Sequence, residues 1–229
     1  MNPAGLDRSP MSTQPQRTLQ LGLDSATTPP RVTLSVQLTG DASSAVSTST
    51  PAKIGVDVVQ PRLPYADARF ANVVALDVIE HVLDEECWVA ELARITRPGG
   101  RLTVRVPAAG PLSWLDALNI YRYAVEISGR GTAPRGTQPI GWHRHYPRRD
   151  LSALLTAAGF RPLTAHRVGT GLDQIPALAG LVALDWLLGL RDAERTALRA
   201  SAMLRRWDGK LPLPMGPLGT KLIIESVRT

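Results

Sequence analysis

The sequence predicts an α/β protein in which a sheet carries helices on both faces. Strand-like and helix-like segments alternate through much of the 229-residue chain, as they do in proteins of this class. The segment 72–79 is apolar without a break, which is typical of a strand covered on both faces. With 44% hydrophobic and 20% charged residues, the chain has the composition of one globular domain with a full core.

The individual elements follow from hydrophobic spacing and from the residues that interrupt it. Short runs of β-branched and apolar residues bounded by Pro or Gly predict strands, and apolar residues at helical spacing predict helices. The predicted strands are 18–22, 31–38, 54–59, 72–79, 101–107, 161–168 and 220–227. The predicted helices are 84–97, 113–127, 148–160, 172–190 and 192–207. We expect the helix 84–97 to stop at Pro98-Gly99-Gly100.

The two ends of the chain differ from its middle. Residues 1–17 are rich in Ser, Thr and Pro and predict a disordered tail, followed by a single domain over 18–229. Within that domain, 171–210 is interpreted as a helical insertion or lid before the last strand. Its first helix, 172–190, is apolar on most sides. That pattern favours a core or oligomer interface and leaves open a lid over an acceptor or a shallow membrane contact.

Charge and cysteine content exclude several functions. The single cysteine, Cys87, excludes an intramolecular disulfide framework and a zinc site with two thiolates, and we expect it to be a small core residue. All but three of the 26 basic residues are arginine, which indicates a GC-rich genome rather than nucleic-acid binding. Residues 122–149 hold six Arg and one acid, Glu126, so an anionic ligand is an alternative to a solvated face. No leader or membrane-spanning segment is recognised, and a cytoplasmic protein is expected.

Three segments resemble one enzyme family. They are LPYADARFANVVALDVIEHV (63–82), ELARITRPGGRLTVRVP (91–107) and HRHYPRRDLSALLTAAGF (143–160). Their order and spacing are similar to those of the class I S-adenosylmethionine-dependent methyltransferases, in particular the methyltransferase type 11 group. The resemblance implies a Rossmann-like mixed sheet of seven strands, with S-adenosylmethionine across the carboxyl ends of the first strands and a small-molecule acceptor beside it.

The resemblance weakens where the family binds its cofactor. In the preferred register, Gly22 matches the first glycine of the family's turn, but Asp24 occupies the place of the second. Ser35 or Gln37 stands where an acid should accept the ribose hydroxyls, and Gln60 stands near the position of the adenine-binding acid.

A second register takes 32–43 as the first strand and loop and makes Asp57 the ribose acid. It leaves too few residues for the helix and strand that should follow.

The end of the fourth strand carries the first set of candidate site residues. His81 is a candidate general base, and Asp77 and Glu80 are candidate cofactor-lining residues. The three resemble the E..EH segment that holds a divalent metal in quinone-type O-methyltransferases, but a turn-capping role is the favoured alternative and no metal is predicted.

The segment 142–146 carries the second set of candidates. His143, His145 and Tyr146, beside Trp142, are candidate catalytic residues on a loop that closes over an acceptor. A structural loop that covers the sheet edge remains an equal alternative.

Two functions therefore stay open. One is methyl transfer to a small molecule. The other is a methyltransferase fold that has lost this activity, either as the non-catalytic partner of an active homologue or with its pocket reused for cyclisation or rearrangement. A homo-oligomer is the other partner considered.

Overall fold

The structure is a computed structural model that describes residues 18–26, 31–39, 52–57, 59–134, 137, 141–171, 174–190, 194, 196–197 and 218–229. The predicted tail 1–17 and most of the predicted helix 192–207 lie outside these residues. Among the described residues, no helix is long and apolar enough to cross a membrane.

The strands form one mixed sheet in the order β3-β2-β1-β4-β5-β7-β6, and the predicted α/β, Rossmann-like class is confirmed. The strands are β1 (Thr18–Ala26), β2 (Arg31–Thr39), β3 (Ala52–Asp57), β4 (Phe70–Leu76), β5 (Thr96–Pro107), β6 (Phe160–Val168) and β7 (Lys221–Arg228). The pairs β1–β4 and β4–β5 are parallel, and the other four pairs are antiparallel.

The first two strands depart from the predicted topology. Only four residues separate β1 from β2, whereas a crossover between parallel strands needs about a dozen. The two strands therefore pair as an antiparallel hairpin, with Gly22 opposite Ser35. The turn predicted after residue 22 is wrong, because β1 continues through Asp24 to Ala26.

In the described part of the chain, helices and short 3-10 turns connect the remaining strands. The helices are α1 (Glu85–Ile95), α2 (Ala117–Ser128), α3 (Arg148–Ala157) and α4 (Gln174–Leu181), and α4 continues as a π-helical turn over Val182–Leu187. The 3-10 turns are Ile79–His81 and Ser113–Leu115. α1 ends two residues earlier than predicted, because Arg97 precedes a proline and so disfavours the helical conformation. Pro98-Gly99-Gly100 therefore lies inside β5, where Gly99 has a φ of +71°.

The core is built from the sheet and the inner face of α1. Trp88, Leu92 and Ile95 are buried, as their spacing predicts. Cys87 is exposed, so the expectation that it belongs to the core is wrong; one residue along a helix is about 100° around its axis.

A second, smaller cluster joins α2 to α4. Tyr121 packs with Leu181 there. The π-helical turn and the residues after it expose Leu187, Leu188 and Leu190.

Candidate functional site

The carboxyl ends of β4 and β5 and the start of β7 meet at one edge of the sheet. Parallel strands end at the same edge, which is where ligands bind in open α/β sheets. A small cleft, partly open to solvent, lies beyond the end of β5. The side chains that line it include Ser113, Asp116, His143, His145, Gln174 and Lys221.

Backbone hydrogen bonds fix the histidine-bearing segment 141–147 against this edge. The Tyr146 amide donates to the carbonyl oxygen of Pro107 at 2.9 Å, and the Ala109 amide donates to the Tyr146 carbonyl at 3.0 Å. Asn119 on α2 holds His143 from the other side. Its side chain accepts from the His143 amide at 2.7 Å and donates to the His143 carbonyl at 2.9 Å. The segment is therefore held between β5 and α2.

Asp116 joins the helix start to the two histidines. Its Oδ1 accepts from the amides of Leu118 at 2.9 Å and Asn119 at 3.1 Å, which caps α2. Its Oδ2 lies 2.6 Å from Nδ1 of His143 and 3.3 Å from Nε2 of His145. Burial opposes ionisation, but the bonds to both histidines hold the pKa of Asp116 well below its usual range. One carboxylate therefore orients two imidazoles.

Glu80 and His81 lie on the inner side of His143. Glu80 is fully buried, and its Oε1 is 3.8 Å from Nε2 of His143. The rings of His81 and His143 are 5.5 Å apart. We call Glu80, His81, Asp116, His143 and His145 the histidine–carboxylate cluster.

The two buried histidines differ in protonation. Burial lowers the pKa of His81 to about 4, so its ring is neutral at pH 7. Burial also opposes charge on His143, but the hydrogen bond to Asp116 and the negative charges of Asp116 and Glu80 outweigh it and raise its pKa to about 9. Opposite shifts of adjacent titratable groups are frequent at functional sites.

Asp77 has a different environment from Glu80 and His81. Its carboxylate accepts from Nζ of Lys221 at 3.2 Å and from Nε of Arg105 at 3.1 Å. Burial opposes ionisation, but these two cations lower its pKa to about 2. Asp77 is therefore engaged by two cations. The side chain that lies close enough to Glu80 and His81 to share a metal ion with them is His143.

Tyr146 points to α1. Its hydroxyl donates to Oε1 of Glu85 at 2.9 Å, and Arg144 pairs with the same carboxylate. Burial and the Glu85 charge raise the pKa of Tyr146. The catalytic roles predicted for Tyr146, His81, His143 and His145 stay predictions.

The cofactor-binding candidates that precede β4 in the chain lie on the other half of the edge. Gly22 is paired with Leu76 of β4, and Asp24 and Ser35 occupy strand positions. Gln60 is exposed, and its backbone amide donates to Oδ1 of Asp57 at 3.2 Å.

The hairpin changes which acid reaches this edge. Because β2 is antiparallel to both β1 and β3, β3 runs parallel to β1 and brings Asp57 to the same edge as Gly22. Gln37 pairs with Gln20, toward the opposite end of β1. Among the described atoms, a Cβ on Gly22 would meet the Leu76 carbonyl oxygen at 4.0 Å, so there is room for a ligand beside this part of β1. Lys53 is the β3 residue level with Gly22, and Asp57 lies four residues beyond it, about 13 Å further along the sheet. The space beside Gly22 fits a cofactor placed along these strand ends.

The sequence prediction missed Asp116, Asn119 and Lys221. Asp116 directly precedes the apolar run that begins α2, which is a helix-capping signal. Its contact with His143 spans 27 residues and leaves no local pattern.

Comparison with known proteins identifies related sequences and folds. A family model described as a methyltransferase domain matches residues 2–165. Methyltransferase GfsG of Streptomyces halstedii is 30% identical over 151 residues, which are 66% of this chain and 41% of that protein. The chain thus spans about two fifths of the length of this curated relative.

The similar solved structures include two methyltransferases. A possible histamine N-methyltransferase of Thermotoga maritima is 16% identical with a TM-score of 0.42, and the match covers 73% of this chain and 60% of that one. The 1,6-didemethyltoxoflavin-N1-methyltransferase of Burkholderia thailandensis, solved with S-adenosylhomocysteine, is 17% identical with a TM-score of 0.35, and the match covers 72% and 46% of the two chains.

Proposed function

The chain belongs to the class I S-adenosylmethionine-dependent methyltransferase family, and we propose that it transfers a methyl group to a small molecule bound in the cleft beyond β5. The observation that carries this proposal is the pairing of Asp116 with His143 and His145 in the cleft wall. Methyl transfer requires a positioned acceptor and, for a hydroxyl or a charged amine, removal of a proton. An oriented pair of imidazoles supplies both.

S-adenosylmethionine would lie beside this cleft, along the ends of β1 and β4. Gly22 would leave space for the adenosine beside β1, and Asp57, further along the same edge, would accept its hydroxyl or amino hydrogens. The cofactor supplies the electrophilic methyl group. All remaining requirements fall on the side chains of the cleft.

His145 is the general base in this proposal. Its Nε2 faces Oδ2 of Asp116, which leaves Nδ1 to take the acceptor's proton. Asp116 then stabilises the imidazolium that forms, as carboxylates do beside catalytic histidines. His143, held 2.6 Å from Oδ2 of Asp116 through its Nδ1, would fix the position of that carboxylate beside His145.

The experiment measures cofactor binding and methyl transfer separately. Calorimetry should detect S-adenosylmethionine binding to the full chain, and Asp57→Asn should weaken it. A panel of phenols, alcohols and amines is then assayed with methyl-labelled cofactor. His145→Ala should lower the rate of the best acceptor by about 10²–10⁴-fold without changing cofactor affinity, while His166→Ala, on β6, should change neither. Absence of cofactor binding at millimolar concentration by a folded chain would overturn the proposal.

The β1–β2 hairpin favours a second candidate function. It replaces the glycine turn and following helix that carry the family's cofactor contacts. A chain that has lost methyl transfer could stabilise an active homologue or use the same cleft for cyclisation. It would bind no S-adenosylmethionine and yet keep its fold, whereas cofactor copurified with the protein would exclude this candidate.

A further inference from the structure

We propose that Glu80, His81 and His143 bind a divalent transition-metal ion of the zinc class. Each offers one ligand atom, and the three atoms lie within 4.8 Å of one another. All three residues are buried. Two imidazoles and one carboxylate make a known three-residue set for catalytic zinc, which leaves a further coordination position open.

The strongest support is the number of buried polar atoms that lack a partner. Among the described residues, neither carboxylate oxygen of Glu80 accepts a hydrogen bond. Nδ1 of His81 also has no hydrogen-bond partner there. Buried polar atoms in native proteins are almost always satisfied, and an ion is one of the partners that explain an exception. The unsatisfied atoms of Glu80 and His81 belong to adjacent residues, and Oε1 of Glu80 lies 3.8 Å from Nε2 of His143; Nε1 of Trp88 is the other such atom among the described residues.

The spacing of the atoms fits coordination better than direct hydrogen bonding. Oε1 of Glu80 and Nε2 of His143 are 3.8 Å apart, beyond the usual hydrogen-bond distance. Two ligands of a tetrahedral ion with bonds of about 2.0 Å are about 3.3 Å apart. A shift of a few tenths of an ångström would therefore bring both atoms onto one ion.

The surroundings of His143 complete the arrangement. Its other nitrogen, Nδ1, lies 2.6 Å from Oδ2 of Asp116. Histidines that bind metals usually donate their second ring N–H to a carboxylate, which fixes the tautomer and the ring orientation. Asn119 holds the His143 backbone through two hydrogen bonds, so Nε2 is already directed at Glu80.

A second set of possible ligands shares His143 but differs in its partners. Asp116, His143 and His145 also lie within reach of one ion. In that set, Oδ2 of Asp116 already contacts both imidazoles, so its hydrogen bonds are made without a metal. The inner set is the one left unsatisfied, and we assign the site to it.

Ligand chemistry selects the type of ion. Magnesium and calcium prefer oxygen ligands, whereas imidazole nitrogen suits zinc, cobalt and related ions. His143 also lines the cleft, so an ion held by the three residues would lie against the inner side of the cleft wall. The site does not depend on the proposed methyl transfer, and its test requires no cofactor and no acceptor.

The experiment titrates the full chain with metal after treatment with a chelator. The parent protein carries Cys87→Ser, because the exposed thiol would itself bind zinc. Calorimetry should give one Zn²⁺ per chain and no comparable binding of Mg²⁺. Added Co²⁺ should develop the intense visible bands of a low-coordinate site with nitrogen ligands. Absence of Zn²⁺ binding, or only the weak bands of six-coordinate Co²⁺, would overturn the proposal.

Variants identify the ligands. Glu80→Gln and His81→Ala should each weaken zinc binding more than about 100-fold, and Asp116→Asn, which acts through His143, should weaken it about 10–100-fold. His145→Ala should leave the zinc affinity within about threefold, and His166→Ala serves as the control for a histidine elsewhere. Loss of binding in His145→Ala with binding retained in His81→Ala would assign the ion to the outer set and contradict the proposal. Circular dichroism checks the fold, and if a ligand variant unfolds, the Co²⁺ spectra of the parent and Asp116→Asn decide.

Discussion

In the β1–β3 half of the sheet, each strand is antiparallel to the next along the chain, whereas β4 and β5 are joined by a parallel crossover through α1. All described residues between 18 and 57 are strand. An antiparallel connection reverses the chain at once, so successive strands end at opposite edges. A parallel crossover returns the chain to the same edge each time and brings a loop and a helix with it.

This difference explains where the polar side chains of the site collect. The turn after β4 supplies Glu80 and His81, the loop after β5 supplies Asp116, and the segment before α3 supplies His143 and His145. The hairpin half places two acids toward this edge among its described residues, Asp24 in β1 and Asp57 at the end of β3. The proposed acceptor side of the site is thus built by crossovers, whereas the proposed cofactor side lies beside the hairpin.

The largest effect is expected where α1 holds the connection between the two halves. The Arg94 guanidinium donates to Glu91 at 2.6 and 2.7 Å and to the Tyr65 carbonyl at 2.7 Å. Arg94→Ala would leave the buried Glu91 carboxylate without its cation and should lower the free energy of unfolding by about 3–5 kcal/mol, measured by urea denaturation. Arg122→Ala, which breaks a half-exposed pair with Glu126, should cost less than about 1 kcal/mol. Equal costs would contradict this role for Arg94.

The β1–β3 half and the rest of the sheet are expected to unfold together. Leu21 in β1 and Leu102 in β5 are both completely buried, and each change to alanine should cost about 2–5 kcal/mol. All five tryptophans lie beyond residue 87, so their fluorescence reports only on the second half of the sheet. In a cooperative domain, Leu21→Ala lowers the midpoint of the fluorescence transition as Leu102→Ala does. A fluorescence midpoint unmoved by Leu21→Ala would show that the β1–β3 half unfolds separately.

The two halves were also unequally predictable from the sequence. Local periodicity identified the strand leading to Leu76 and the buried face of α1, because burial sets the apolar spacing. The preferred alignment assumed a parallel crossover after Gly22, and the four residues between β1 and β2 exclude it. Asp57 entered only through the less favoured register, since its position depends on the direction of β2.

The histidine–carboxylate cluster was predicted only in part. His81, Glu80, His143 and His145 were recognised as residue types near the carboxyl edge. Their mutual contacts were not predicted, because they join segments far apart in the chain through Asp116. Lys221, which neutralises Asp77, lies 144 residues away in the chain, and no local sequence pattern predicts a pair so far apart.

A smaller effect is expected from that buried pair as the pH falls. The pKa of Asp77 is lowered from 3.8 to about 2, so its ion pair stabilises the fold above about pH 4 and is lost as the pH falls toward 2. The loss corresponds to about 2 kcal/mol. Urea denaturation between pH 5 and pH 2 should therefore show a shallower pH dependence for Asp77→Asn than for the unchanged chain. Asp150→Asn, at an exposed position on α3, should keep the original profile, and identical profiles for both variants would exclude Asp77 as the cause.

The smallest effect tests the crossover helix itself. Oδ1 of Asp84 accepts from the Cys87 amide at 2.8 Å and caps α1. Asp84→Ala removes this bond and should lower stability by about 1 kcal/mol, whereas Asp84→Asn, which can still accept it, should cost much less. If both variants lower the stability equally, the charge of Asp84 beside the helix dipole matters more than its hydrogen bond.

The start of α1 also supports the turn that carries Glu80, which directly precedes it in the chain. Fraying of this helix end would therefore also loosen the histidine–carboxylate cluster. Hydrogen exchange at the amides of the Ile79–His81 turn should rise in Asp84→Ala and stay unchanged in the β1–β2 hairpin, where no described residue depends on that cap.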